Sequence, residues 1–178
     1  MPKPEKITAP DQARLADRRR AAGRVLAELI ESDRRRFIRF AATLVRQVDV
    51  EDVLQDACAG FIRSFDPSKK PSEPLAYFLV SIRSSAYRLH RFRSRRVAEV
   101  ELIAGFEPVA ADEIGRRDGL EVAREALAGL SGDERLAVAL RALGFSTAEI
   151  ESALGASPRA TRKRLEHGRR KLREKFDQ

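Results

Sequence analysis

Apolar residues recur at intervals of three and four along most of this chain, and no stretch shows the strict alternation of a half-buried strand. The clearest case is Phe37, Phe40, Ala41, Leu44 and Val45, whose i, i+3, i+4, i+7, i+8 spacing predicts a core-facing helix starting near Asp33. Residues 11–30 read as an earlier helix with Leu15, Val25, Leu26, Leu29 and Ile30 as its apolar content, although Arg18, Arg19 and Arg20 interrupt the stripe. Asp49 is placed to cap a third helix reaching about Phe65, with Glu51 and Asp52 in its first turn, where the helix dipole favours acid. Its inward set is Leu54, Ala57, Cys58, Phe61 and Phe65. Two prolines and two serines make residues 66–72 a loop, and Pro74 suits the first turn of the next helix. That helix turns Leu75, Phe78, Leu79, Ile82, Ala86 and Leu89 inward, with Phe78 read as core. Hairpin signals such as Asn-Gly are absent, so the fold class is all-α.

The carboxy-terminal quarter carries the sharpest local signals. Residues 120–130 read as a helix, and Ser131-Gly132-Asp133-Glu134 is a capping box that opens the next, containing Leu136, Val138, Leu140 and Leu143. Gly144 and Phe145 close it, and Ser146-Thr147-Ala148-Glu149 opens a short helix with Ile150 and Leu154 on one face. Gly155 suits a helix end that needs positive φ, and Ser157-Pro158 starts another helix after a turn of a few residues, the spacing of a helix-turn-helix. In this last helix Thr161, Leu165, Gly168, Leu172 and Phe176 form one inward stripe, with Gly168 as a thin spot for close packing.

Charge changes the picture from fold to partner. Thirty-five Lys and Arg against 27 Asp and Glu give a formal net charge of +8, and the pI is near 10.2. The excess is clustered, which favours nucleic acid over a diffuse membrane surface. Residues 157–175 hold nine Lys and Arg against Glu166 and Glu174, a sign imbalance that a recognition helix explains and a merely solvated face does not. Residues 81–96 hold six arginines and no acid, interleaved with Tyr87, His90 and Phe92, as suits a melted strand whose bases stack on rings while arginines track the backbone. Residues 97–115 reverse the sign with five acids and no Lys or Arg. Gly105 and Pro108 there break the helical pattern, so the stretch reads as a linker, either a plain spacer or an arm for a positively charged channel.

Other classes of function find no support. Cys58 stands alone, and with His90 and His167 it forms no zinc spacing, so no metal or cofactor is expected. No glycine-rich phosphate loop, His–carboxylate pair or nucleophile in a recognisable setting is present, so the chain reads as no enzyme. No run approaches the ~18 apolar residues of a membrane span, and the Met1-Pro2-Lys3-Pro4 start lacks the apolar stretch of a secretion signal, which leads to an expectation of a cytoplasmic protein without membrane insertion.

Two helical modules in this order resemble a known family. The run from Leu130-Ser131 through Phe145-Ser146-Thr147-Ala148-Glu149-Ile150 and Gly155-Ala156-Ser157 to Arg169-Arg170-Lys171-Leu172-Arg173 is similar to region four of bacterial sigma factors of the extracytoplasmic-function group. Val50-Glu51-Asp52-Val53-Leu54-Gln55-Asp56 independently resembles the Ala-Glu-Asp-x-x-Gln-Asp signature of their region two. The resemblance implies two small helical domains: an extension over 1–27, a region-two domain over 28–96, an acidic linker over 97–117 and a region-four helix-turn-helix over 118–178. It further implies a factor that binds core RNA polymerase through the β′ clamp helices and the β flap, and that directs promoter-specific initiation. Glu51, Asp52, Gln55 and Asp56 would dock on polymerase. Ser68, Lys69, Lys70, Tyr87, Arg88 and Arg91 would hold the melted minus-ten element, while Ser157, Arg159, Ala160, Arg162, Lys163 and Arg164 would read the duplex minus-thirty-five element. An anti-sigma factor is an implied partner. The chain departs from the pattern where Ala57, Cys58, Ala59, Gly60 and Ile62 replace bulky aromatics, and where Ser84 and Ser85 stand in place of an Asn and an Asp. Two competing readings of the residues are a free-standing helix-turn-helix regulator with a dimerising or effector-binding amino-terminal half, and a sigma-like decoy that binds polymerase without directing initiation.

Overall fold

A computed structural model describes residues 9–69, 73–101 and 126–177, and every regular element among them is helical. Helix α1 spans Ala9–Leu44, α2 spans Val50–Ser64 after a 3-10 turn at Gln47–Asp49, and α3 spans Pro74–Glu101. After a short helical stretch at residues 126–128 come α4 (Gly132–Ala142), α5 (Thr147–Leu154) and α6 (Pro158–Phe176). The expected linker from residue 102 onward, and most of the helix expected at 120–130, lie outside the described residues. Helix α3 itself runs through Glu101, past the residue where the acidic stretch begins.

The two helices expected on either side of Asp33 are one helix with a kink. Asp33 alone has non-helical angles (φ −131°, ψ 17°). Local side-chain bonds explain the break: Ser32 donates to the Leu29 carbonyl at 3.0 Å, and the Asp33 carboxylate accepts from Arg36 at 2.8 Å. The chain bends there without stopping, because the residues on both sides still bury apolar faces, Ala22 and Leu26 before the kink, Phe37, Phe40 and Ala41 after it.

An aromatic cluster centred on Phe61 ties α1, α2 and α3 together. Phe61 stacks on Phe65 at 4.4 Å and meets Tyr77 and Phe78 edge-on at 5.6 and 5.8 Å, while Phe37 meets Phe78 edge-on at 4.9 Å. Each such pair adds about 0.5–1.5 kcal/mol beyond the area it buries. The buried stripe of α2 is Val50, Val53, Ala57 and Phe61, so Val53 takes the inner place assigned to Leu54, and Leu54 and Cys58 are only half-buried. Burial pushes the Cys58 thiol pKa up, as suits a small packing residue.

Asp49 does not cap α2. Its side chain makes no capping bond, and its carboxylate receives both terminal nitrogens of Arg93 and Arg46 Nε at 3.1 Å. A two-pronged charged contact outweighs one amide bond at a helix start. The Arg93 guanidinium, ahead of the smaller pull of Arg46, holds the Asp49 carboxyl below its ordinary pKa although the residue is buried. Phe176 is a second departure: at 63% exposure it lies beyond the part of α6 that packs, and the inward stripe ends at Leu172.

The amino- and carboxy-terminal modules share one apolar cluster. Helix α5 packs on α3, and Phe145, fully buried, lies under the Arg36 guanidinium at 3.6 Å from the ring centre. Arg36 Nε also donates to the Leu143 carbonyl at 3.1 Å, so the α1 kink grips the turn between α4 and α5.

Candidate nucleic-acid interface

Local chemistry builds the helix-turn-helix as its sequence promised. Ser131 and Ser146 each accept from the amide three residues on, and Glu134 and Glu149 return the bond to the serine amides at 3.0 and 2.6 Å. Gly155 takes φ +58°, a left-handed value that suits glycine, and the Ala156 amide reaches back to the Glu151 carbonyl at 3.0 Å. Ser157 then caps α6 by accepting from the Ala160 amide at 3.3 Å, and Pro158 fills its first turn.

Helix α6 is divided between anchoring and exposed cations. Arg164 pairs with Asp133 at 2.6 Å, Lys171 with Glu134 at 2.8 Å, and both acids sit in the first turn of α4. The Lys171 ammonium and the Ser131 amide lower the Glu134 pKa to about 2. A Cβ added at Gly168 would stand 2.5 Å from Val138 Cγ2, so glycine is what lets α6 lie this close to α4. Arg159, Arg162 and Lys163 remain exposed on the amino-terminal turns, Ala160 is half-buried among them, and none of the three cations has an acid partner among the described residues. Arg164, assigned to DNA with them, is instead bonded to its own module.

The second basic surface lies on α3. Tyr87 is 62% exposed, with the Arg91 guanidinium 5.9 Å from its ring centre, so one flat ring and a cation face solvent together. Arg88 donates to Asp56 of α2 at 2.7 Å and to Ser85 at 3.1 Å, joining the helix assigned to DNA with the helix assigned to polymerase. An open groove of about 670 Å³ runs between those helices past Tyr77, Tyr87 and Arg88, over Ala57 and Gly60. Phe78 is buried, as expected of a core ring. In the loop before α3, the Ser68 hydroxyl donates to Asp66 at 2.6 Å and its amide at 3.1 Å. The hydroxyl bond leads in lowering the Asp66 pKa. Lys69 is exposed, its ammonium 3.9 Å from Asp66, and Lys70 lies outside the described residues.

On α2 the residues assigned to polymerase project outward. Glu51, Asp52 and Gln55 are exposed, and Asp56 is half-buried by its bond to Arg88. Sequence spacing could not have found the pairs Asp56–Arg88, Asp49–Arg93 and Glu134–Lys171, because their members lie 32, 44 and 37 residues apart. Among the described residues no group of His, Cys, Asp and Glu is arranged to hold a metal, and no helix is long and apolar enough to cross a membrane.

Comparison with known proteins agrees with this geometry. Residues 29–96 match the family description "Sigma-70 region 2" and residues 120–172 match "Sigma-70, region 4", the latter in the form found in the extracytoplasmic-function group. The chain belongs to the sigma-70 family. Among solved structures it is similar to CnrH in its complex with the cytosolic domain of CnrY, with a TM-score of 0.62 and 24% identity over 92% of this chain and 94% of that one. It is also similar to the sigma factor RpoE of Bartonella quintana in complex with the anti-sigma factor NepR, with a TM-score of 0.60 and 22% identity over 85% and 96% of the two chains. Identities this low speak for the fold. No curated protein sequence matches. As a sigma factor the protein binds core RNA polymerase and directs transcription initiation at promoters, and it does so without covalent chemistry. The region-two match displaces the free-standing regulator, which gave the amino-terminal half to dimerisation or an effector.

Proposed function

We propose that the two basic surfaces divide promoter reading between duplex and melted DNA. Arg159, Arg162 and Lys163 enter the major groove of the minus-thirty-five element with Ser157 and Ala160 beside them, while Arg164 holds α6 to Asp133. Tyr87, Arg88 and Arg91, with Ser68, Lys69 and Lys70 in the preceding loop, take the melted minus-ten strand. Glu51, Asp52, Gln55 and Asp56 dock on the β′ clamp helices, and the region-four module meets the β flap. The observation that carries this reading is the split of charge on α6: Arg159, Arg162 and Lys163 of its first turns are exposed without an acid partner among the described residues, whereas Arg164 and Lys171 are bonded to α4. The complex of RpoE with NepR supports an anti-sigma factor as a further partner, and the cytoplasm as the place of action follows from the polymerase.

The test is a pair of binding assays, on duplex upstream element and on single-stranded downstream element. Arg159→Ala or Arg162→Ala should cost about 1–3 kcal/mol on the duplex if the side chain reads a base edge, with relaxed preference at one position and no effect on the single strand. Arg88→Ala with Arg91→Ala should do the reverse. Equal losses on both DNAs for both groups would leave only a generic basic DNA binder.

A further inference from the structure

The first half of α1 precedes the region-two match, which begins at residue 29, and it is built into the fold. Ala22 and Leu26 are buried, and Arg18 Nη2 donates at 2.9 Å to the Arg63 carbonyl, one of the last-turn carbonyls of α2 that lack a helical partner. This contact sets α1 beside the Asp66-Pro67-Ser68 turn. Two open hollows flank that turn, one of about 1050 Å³ reaching Asp17, Arg20 and Arg24, the other of about 390 Å³ reaching Asp11 and Arg14, and Arg18 lines both.

The charges around these hollows are unevenly satisfied. Asp17 is taken by Arg20, and Asp66 by Ser68 with Lys69 nearby. Asp11 lines the smaller hollow with Arg14 and Arg18. Arg14 and Arg24 are exposed and have no acid partner among the described residues, and the Nε of Arg18 is buried without a hydrogen-bond partner. No aromatic ring lines either hollow; the rest of the larger one is Ala21, Gly23 and Ala27. Spare guanidinium donors without rings suit a phosphate backbone and offer nothing on which a base stacks.

We propose that the amino-terminal half of α1 is a second wall of the minus-ten site, where Arg14, Arg18 and Arg24 hold the phosphodiester backbone of the melted strand beside the Asp66–Ser68 turn. The inference rests on that turn being part of the melted-strand site. It gives the extension before region two a DNA-binding role, and because the contacts are to phosphates, the role is independent of sequence.

The experiment titrates the full-length chain with a fluorescent random-sequence single strand of about 20 nucleotides across a salt series. Each lost phosphate contact lowers the log–log salt slope by about 0.7 on single strands, so Arg14→Gln with Arg24→Gln should lower it by about 1.4. Arg14→Lys with Arg24→Lys should keep the slope, and binding to a duplex of the same composition should not change. A slope that stays at the wild-type value in the glutamine variant, while Arg88→Ala with Arg91→Ala lowers it, overturns the proposal and leaves the minus-ten reading standing. If neither pair changes the slope, the minus-ten reading fails and the proposal with it. Weakened binding to core polymerase with unchanged single-strand binding also overturns it, by making this wall a protein contact.

Discussion

Glu134 completes a capping box with Ser131 and also receives Lys171 from the far half of α6, so one carboxylate fixes both the start of α4 and the lie of the recognition helix. Its pKa is lowered from 4.5 to about 2, chiefly by Lys171. A carboxylate depressed on folding contributes stability that is complete above its unfolded value and is lost as pH falls through the folded one, here from about 4.5 down to about 2. Glu134→Gln can keep the capping bond and lose the charge, so urea midpoints measured between pH 6 and pH 2.5 should fall less steeply in the variant than in the wild type. Half of this residue was legible in the sequence: Ser-x-x-Glu ahead of an apolar run announces a cap. Asp49 shows the opposite case, since an acid before a helix also announces a cap, yet Arg93, 44 residues away, takes its carboxylate. Local rules choose among local partners, and a two-pronged guanidinium on a buried carboxylate is a stronger one.

The elements themselves were written in the chain where periodicity and punctuation agree. Ser146, Gly155, Ser157 and Pro158 set the ends of α5 and α6 as expected, because caps and positive φ depend on neighbours within a few residues. Where two signals conflicted, tertiary packing decided: Asp33 kinks α1 without ending it, and Val53 displaces Leu54 from the inner face of α2. For the candidate site, the exposed cations of α6 were legible as a charge excess, but which were already bonded to α4 was not. Gly168 supplies the element-scale prediction. Alanine there gains up to about 1 kcal/mol of helix propensity but forces Val138 or α6 to move, a strain of about 1–3 kcal/mol. Gly168→Ala should therefore lower the thermal midpoint and weaken duplex binding, and adding Val138→Ala should recover both; a variant as stable as wild type would show that α6 does not lie this close to α4.

At the scale of the whole molecule, the contact between the modules conflicts with simultaneous reading of two promoter elements. Elements named minus-ten and minus-thirty-five lie about 25 base pairs apart, ~85 Å at 3.4 Å per pair, whereas a compact chain of this length has a radius of gyration of about 16 Å. On the proposed division of promoter reading between α3 and α6, α5 has to leave α3, and Arg36, bonded to Leu143 and seated on Phe145, is the polar part of the contact to be broken. Arg36→Ala should expand the free protein in small-angle scattering and raise its affinity for core polymerase, while leaving the helical content unchanged. No sequence rule pointed to this contact, because Arg36 and Leu143 are 107 residues apart and an arginine followed by Phe37 reads as an ordinary exposed position. The account as a whole stands on directed initiation, and the direct measurement is transcription reconstituted from purified core polymerase and this chain on a library of promoter fragments. The account predicts initiation at a defined subset of fragments, lost when Asp52→Ala and Gln55→Ala remove the docking face of α2 without changing circular dichroism. Polymerase that binds the chain yet starts no more selectively than core alone would contradict it and make the protein a decoy.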